Sequence, residues 1–284
     1  MSILSKNSIT SNKPNRVLEQ TEVPCFSVQQ FDQFEKMVGE QKMPVIAKGK
    51  ALRWNATQKW TPQFFKQSFG KLNVNVSTKL PTDKSPYFST EKQHRKKILI
   101  EDFVDNFMDE QSCYLDQANI SLFDGLAADF HYEECFSEDP KFTSLWMGNK
   151  TRSGLHYDNM NNMYVQIYGT KNVLFVGPSD SRNVYPFADN VSKSKVDPEN
   201  PDLSKYPKFA SVTLYHACLQ PGDVLFFPKG WWHHFVSPKS SISLSCWYGD
   251  FLTLSEQVKG VNAAGYHLWL TIIRDFVWLG ALGR

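Results

Sequence analysis

The second half of the chain carries five short runs, 163–168, 172–176, 224–228, 232–237 and 242–248, each rich in β-branched and aromatic residues. Turn-forming groups stand between them: Gly169-Thr170, Pro178-Ser179, Pro221-Gly222-Asp223 and Lys229-Gly230. Apolar runs of this length, bounded in this way, are strands, and several in succession predict a barrel or a sandwich. One polar stretch, 192–208, breaks the series. It contains Pro198, Pro201 and Pro207 and is expected to be a loop.

The first half reads differently. Residues 1–21 form a polar leader rich in Ser, Asn and Lys, without the apolar run of a signal peptide. Phe31, Phe34 and Val38 recur at helical spacing within 28–40, and 44–47 suits a buried strand. Thr61-Pro62 starts a second helix, because Thr can cap free N–H groups and Pro fits the first turn. Residues 73–77 alternate as a strand, and 100–108 form another helix. Helical spacing returns from residue 255. The expectation is a polar leader (1–21), one domain over 22–254 with its core at about 114–250, and a C-terminal helical segment over 255–284. A chain of 284 residues, 41% of them hydrophobic, has ample material for one such core.

Composition narrows the function. A formal charge of +2 gives no general argument for nucleic acid or membrane, which leaves only local patches to consider. The basic run His94-Arg95-Lys96-Lys97 is one such patch, and a run that short usually sits in a solvated loop. Cys25, Cys113, Cys135, Cys218 and Cys246 are odd in number and dispersed, which argues against a disulfide framework or a structural zinc site. The apolar stretch 268–282 is broken by Arg274 and Asp275 and falls short of the ~20 residues that span a bilayer. An intracellular protein, cytoplasmic or nuclear, is expected.

His156-Tyr157-Asp158 puts an imidazole and a carboxylate at i and i+2, the spacing at which extended backbone turns both to one face. Trp231-Trp232-His233-His234 supplies a third ligand. Two imidazoles and one carboxylate on one side of a metal leave the opposite positions open, the arrangement of non-haem Fe(II) centres. Neighbouring residues of a strand face opposite sides, so only one of His233 and His234 can join them.

These residues, with Asn162, Gln166–Lys171, Val173-Leu174-Phe175, Asp197–Pro207, Pro221–Pro228 and Gly230–His234, resemble the JmjC (cupin-like) hydroxylase family over roughly 114–248. The resemblance implies a mainly-β double-stranded β-helix, the jelly-roll or cupin core, with N-terminal α/β additions and C-terminal helices. It implies Fe(II) held by His156, Asp158 and His233, with 2-oxoglutarate as co-substrate. His233 is favoured because the family places its ligand directly after the second tryptophan, which leaves His234 on the other face. Lys171 is expected to meet the distal carboxylate of 2-oxoglutarate, with Tyr114, Ser153 and Asn162 as hydrogen-bonding positions. Ser245 stands where asparaginyl hydroxylases of this family carry asparagine, so that contact is expected to be lost or bridged by water. Trp247 follows at the same parity as a pocket wall, and Tyr164, Trp231 and Trp232 are candidates for a dry lining.

The activity so implied is hydroxylation of a C–H bond in a macromolecule, first a protein side chain and second a modified tRNA base. A non-catalytic cupin-like binding protein is the reading from outside the enzyme class. The broad apolar stripe over 266–282 needs cover, either from its own barrel or from a second copy in a homodimer.

Overall fold

Period-two alternation decides how the strands are used. In 161–168 the odd residues Met163, Val165 and Ile167 are apolar, while Asn162, Tyr164 and Gln166 between them carry polar atoms. In 241–248 Leu244, Cys246 and Tyr248 alternate with Ser243, Ser245 and Trp247. Each strand therefore offers a mainly apolar face and a face of polar and aromatic groups. The apolar faces join one large core, and the other faces look inward between two sheets.

The computed structural model describes residues 20–40, 42–80, 94–108, 111–187 and 190–264. Among them the strands are β1 (Gln20–Glu22), β2 (Cys25–Phe26), β3 (Val45–Ala47), β4 (Asn73–Thr78), β5 (Arg95–Leu99), β6 (Cys113–Asn119) and β7 (Phe142–Asn149). They continue with β8 (Thr151–Arg152), β9 (Asn161–Tyr168), β10 (Lys171–Val176), β11 (Leu214–Leu219), β12 (Val224–Phe227), β13 (Trp232–Ser237) and β14 (Ser241–Tyr248). One sheet runs β1-β11-β10-β13-β8 and the other β2-β3-β12-β9-β14-β7-β6-β4-β5. From β9 onward the chain passes back and forth between the sheets, which closes them face to face as the jelly-roll of a mainly-β domain.

Helices α1 (Phe31–Glu40), α2 (Asn55–Lys59), α3 (Pro62–Phe69) and α4 (Ile100–Phe107) add to the larger sheet. Phe34, Phe65 and Phe103, fully buried, pack with Met163, Val165 and Leu244 from its outer face. The start of α3 follows its sequence signal: Phe64 N–H donates to Thr61 Oγ1 at 3.1 Å, and Pro62 opens the first turn. Helix α5 (Leu254–Ala264) follows the barrel. The stripe over 266–282 and most of the leader, 1–19, lie outside the described residues. No helix among the described residues is long and apolar enough to cross a membrane.

One local expectation changes. The basic run is not a loop: Arg95, Lys96 and Lys97 are exposed on β5, at the end of the larger sheet's strand order. Lysine on such a strand discourages pairing with another chain. The proline-bearing stretch is irregular, as expected of a loop. Val196 within it and Val184, Phe209 and Val212 beside it are buried against Trp232 and Leu155, so the region from 184 to 212 caps the outer face of the smaller sheet.

Candidate metal centre

The inward faces enclose a cavity of about 280 Å³, whose lining includes Tyr114, Ser153, His156, Asp158, Asn162, His233 and Ser245. It exists because β9 and β14 place Asn162 and Ser245, rather than large apolar groups, between the sheets. Ser245 Oγ donates to Asn162 Oδ1 at 2.7 Å, so the serine's first partner is that carboxamide.

His156 and His233 face one another across an isolated antiparallel bridge. Each donates its backbone N–H to the other's carbonyl, at 3.1 and 2.6 Å, and their ring centroids are 4.3 Å apart. The backbone bridge thus sets the spacing of the two imidazoles. His156 Nδ1 lies 2.8 Å from Gly154 O, and His233 Nδ1 lies 3.0 Å from Trp231 O. A carbonyl only accepts, so each Nδ1 carries hydrogen, and Nε2 is the nitrogen through which each neutral ring would bind a metal. Asp158 reaches the same space, with Oδ2 3.7 Å from His233 Nε2. The three ligand atoms lie within 4.8 Å of one another. Burial, and then the charge of His156, hold the His233 imidazole well below its ordinary pKa; this keeps it neutral, the form that binds a metal.

Strand parity separates the two adjacent histidines. Trp231, His233 and Phe235 face the interior, whereas Trp232 and His234 face the cap. His234 is fully buried, with Nε2 3.4 Å from Glu199 Oε2. It belongs to a second cluster with Asp197 and Glu199 that has the spacing of a metal site. Arg152 already supplies the cation there, at 2.9 Å from Asp197 and 2.6 Å from Glu199. The Glu199 carboxyl lies below its ordinary range, first through its hydrogen bond with His234 and then through Arg152, against a desolvation penalty. The second cluster is an ion-pair network that ties the cap to β8 and β13.

Lys171 opens β10 after the Gly169 turn, where φ is +67° and a side chain would be strained. Gln166 fixes that turn by donating to the carbonyls of Tyr168 and Gly169. Lys171 is 2% exposed, and its Nζ donates to Tyr164 Oη at 2.6 Å. The same Nζ stands 5.5 Å from the centroid of the Tyr114 ring, and both tyrosines line the cavity. Burial pushes its pKa down to about 7. A buried ammonium with a phenol as its hydrogen-bond partner is costly without an anion. The residues therefore fit a metal at one end of the cavity and an acidic ligand reaching toward Lys171.

Ser153 accepts the Phe235 N–H at 2.9 Å and lines the cavity, as does Tyr114. Of the three aromatics expected as lining, only Tyr164 is there. Trp231 belongs to the core behind, and Trp232 turns outward because it shares parity with His234. The sequence reading missed Trp146, Phe227 and Phe235 in the wall, and a bulge in β6. At that bulge Gln117 has φ of +52°, which brings the consecutive side chains Asp116 and Gln117 both to the cavity. Alternation could not have foretold two neighbours on one face.

A family model described as a cupin-like domain matches residues 31–253. The tRNA wybutosine-synthesizing protein 5 of Gallus gallus is 28% identical over 264 residues, covering 81% of this chain and 80% of that protein. Lysine-specific demethylase 8 of Danio rerio is 30% identical over 254 residues, covering 83% of this chain but 61% of that protein. Jumonji C domain-containing protein 5 of Drosophila melanogaster is 25% identical over 250 residues, again covering 61% of its own length.

Proposed function

Because the chain belongs to the cupin-like domain family of JmjC proteins, we propose that it is an Fe(II)- and 2-oxoglutarate-dependent oxygenase that hydroxylates a C–H bond of a macromolecular substrate. The observation that carries this reading is the convergence of His156, Asp158 and His233 on one cavity that also adjoins the buried Lys171. His156, Asp158 and His233 would hold the metal, which when bound supplies the oxidising chemistry that activates O₂ against a C–H bond. Lys171 would meet the distal carboxylate of 2-oxoglutarate, with Tyr114, Ser153, Asn162 and Ser245 available as hydrogen-bonding groups around it. Phe227, Phe235 and Trp146 keep the wall apolar, so water is displaced as ligands enter.

A protein side chain is the first substrate reading, and the name of one relative, lysine-specific demethylase 8, points to a protein residue as what that relative acts on. A second reading, a modified tRNA base, is favoured by the exposed Arg95, Lys96 and Lys97 on β5. Arg95 pairs at 3.1 Å with Asp116, which lines the cavity. Binding to tRNA through these residues would weaken steeply with salt, and neutralising Lys96 and Lys97 would flatten that dependence.

The test is succinate release from anaerobically Fe(II)-loaded protein given 2-oxoglutarate and O₂, beside Asp158→Ala. Release that disappears in the variant is expected, even without the substrate, because such enzymes turn over slowly when uncoupled. Iron-loaded protein that neither releases succinate nor gains thermal stability from 2-oxoglutarate would instead be a cupin-like binding protein.

A further inference from the structure

The three candidate ligands are not equally secured. His156 and His233 are each braced by a backbone carbonyl at Nδ1, and their chains are locked by reciprocal hydrogen bonds. Asp158 lies on the loop leading into β9, and its side chain is 26% exposed against 3% for His233. Packing alone leaves a short carboxylate there free to change rotamer. Its side chain has one hydrogen bond among the described residues, from Trp247 Nε1 to Oδ2 at 3.2 Å.

The indole is itself immobile. Trp247 is 5% exposed on β14, which lies between β7 and β9 in the larger sheet. Its ring stacks on Phe142, directly opposite on β7, with centroids 4.7 Å apart and planes 28° apart. Trp146 closes the other side at 6.1 Å. A donor fixed in this way cannot follow the carboxylate, so the carboxylate must come to it.

We propose that Trp247 is the positioning residue of the metal centre: its indole N–H holds the Asp158 carboxylate in the orientation that faces His156 and His233. Each ligand then has its own outer partner, two carbonyls for the imidazoles and one indole for the carboxylate. Partners of this kind typically change metal affinity about 10- to 100-fold when removed. This rests on reading His156, Asp158 and His233 as a metal site. Trp247 also walls the cavity, but its function here is exerted through Asp158 rather than on the reacting atoms.

The test is a Co(II) titration followed by the visible ligand-field bands, on wild type, Asp158→Ala, Trp247→Phe and Phe142→Leu. Trp247→Phe keeps an aromatic ring in the stack and deletes the donor, whereas Phe142→Leu disturbs the stack and keeps the donor. The expected result is a roughly tenfold weaker Co(II) affinity in Trp247→Phe and a clearly smaller loss in Phe142→Leu, which loosens the stack but keeps the donor. Equal affinity in Trp247→Phe and wild type, or an equal loss in Phe142→Leu, would overturn the proposal. Wild-type protein with no Asp158-dependent Co(II) bands would instead overturn the metal reading. Should Trp247→Phe not fold, indole ¹H–¹⁵N spectra of wild type and Asp158→Ala decide. The Trp247 proton is expected to move upfield and exchange faster when the carboxylate is gone, and an unmoved resonance would sink the idea.

Discussion

His233→Ala removes an imidazole whose Nε2 faces the centre, so the protein should lose measurable Mn(II) binding while keeping its fold. His234→Ala removes one that faces Glu199 and Arg152. It should retain metal affinity and lose about 0.5–3 kcal/mol of stability, read as a lower unfolding midpoint. Equal loss of metal binding in both variants would contradict the facing seen here. Lys171 gives a second prediction. Its pKa is lowered from 10.5 to about 7, so between those values the unfolded chain holds a proton that the native protein lacks. The contribution of Lys171 to stability therefore rises with pH across this window, and its penalty is fully present below about pH 7. A bound dicarboxylate needs the ammonium, so affinity for 2-oxoglutarate should fall as pH climbs above about 7. Lys171→Met should abolish the 2-oxoglutarate-dependent rise in melting temperature, cost about 2–5 kcal/mol of binding, and leave the ligand-free protein no less stable. Calorimetric titrations of the Mn(II) form at two pH values would check this.

Strands and cap carry their own predictions. Gly148 on β7 lies opposite Tyr114, and a β-carbon there would stand 2.5 Å from Cys113 O and 2.7 Å from Tyr114 Cδ2. Gly148→Ala should therefore push β6 outward, with a stability loss of about 1–3 kcal/mol and weaker 2-oxoglutarate binding. A melting curve with and without co-substrate would show both effects. Removing Arg152 strands Asp197 and Glu199, so Arg152→Met should raise amide exchange across 190–212 before it affects the barrel. The elements best foretold by sequence were those whose pattern is local: α3 from its Thr-Pro start, and β9, β13 and β14 from β-branched and aromatic runs bounded by turn signals. Parity also foretold that His233 and His234 would part, though only the family pattern said which faces inward. Strand β5 was hidden because Arg95, Lys96 and Lys97 earn their place by edge pairing with β4, which composition does not encode. The indole contact on Asp158 was hidden for a related reason. It joins a residue of β14 to one on the loop before β9, and nothing in the neighbourhood of either one announces the other.

At the scale of the whole molecule the barrel is assembled from pieces distant in sequence. β1 pairs with β11, β3 with β12, and the bridge between His156 and His233 closes the site. Such a site exists only in the folded protein, so ligands should stabilise the chain by mass action. Metal at about a hundred times its dissociation constant should add about 2.7 kcal/mol, and 2-oxoglutarate should add more only when metal is present. Differential scanning fluorimetry with chelator, Mn(II), and Mn(II) plus 2-oxoglutarate would show this order. The strand that carries His233 inward and His234 outward has a further consequence for how this gene can vary. A point substitution at either histidine changes one side chain. An in-frame codon lost between Pro228 and Trp232 that slid β13 by one residue would instead exchange the two, pointing His234 at the centre and His233 at the cap. Because the replacement is again an imidazole, a reader of the sequence would still count every ligand, yet each flanking tryptophan and Phe235 would have changed sides with it. Descendants of this chain can thus drift by substitution along β13 far more readily than by insertion or deletion just before it.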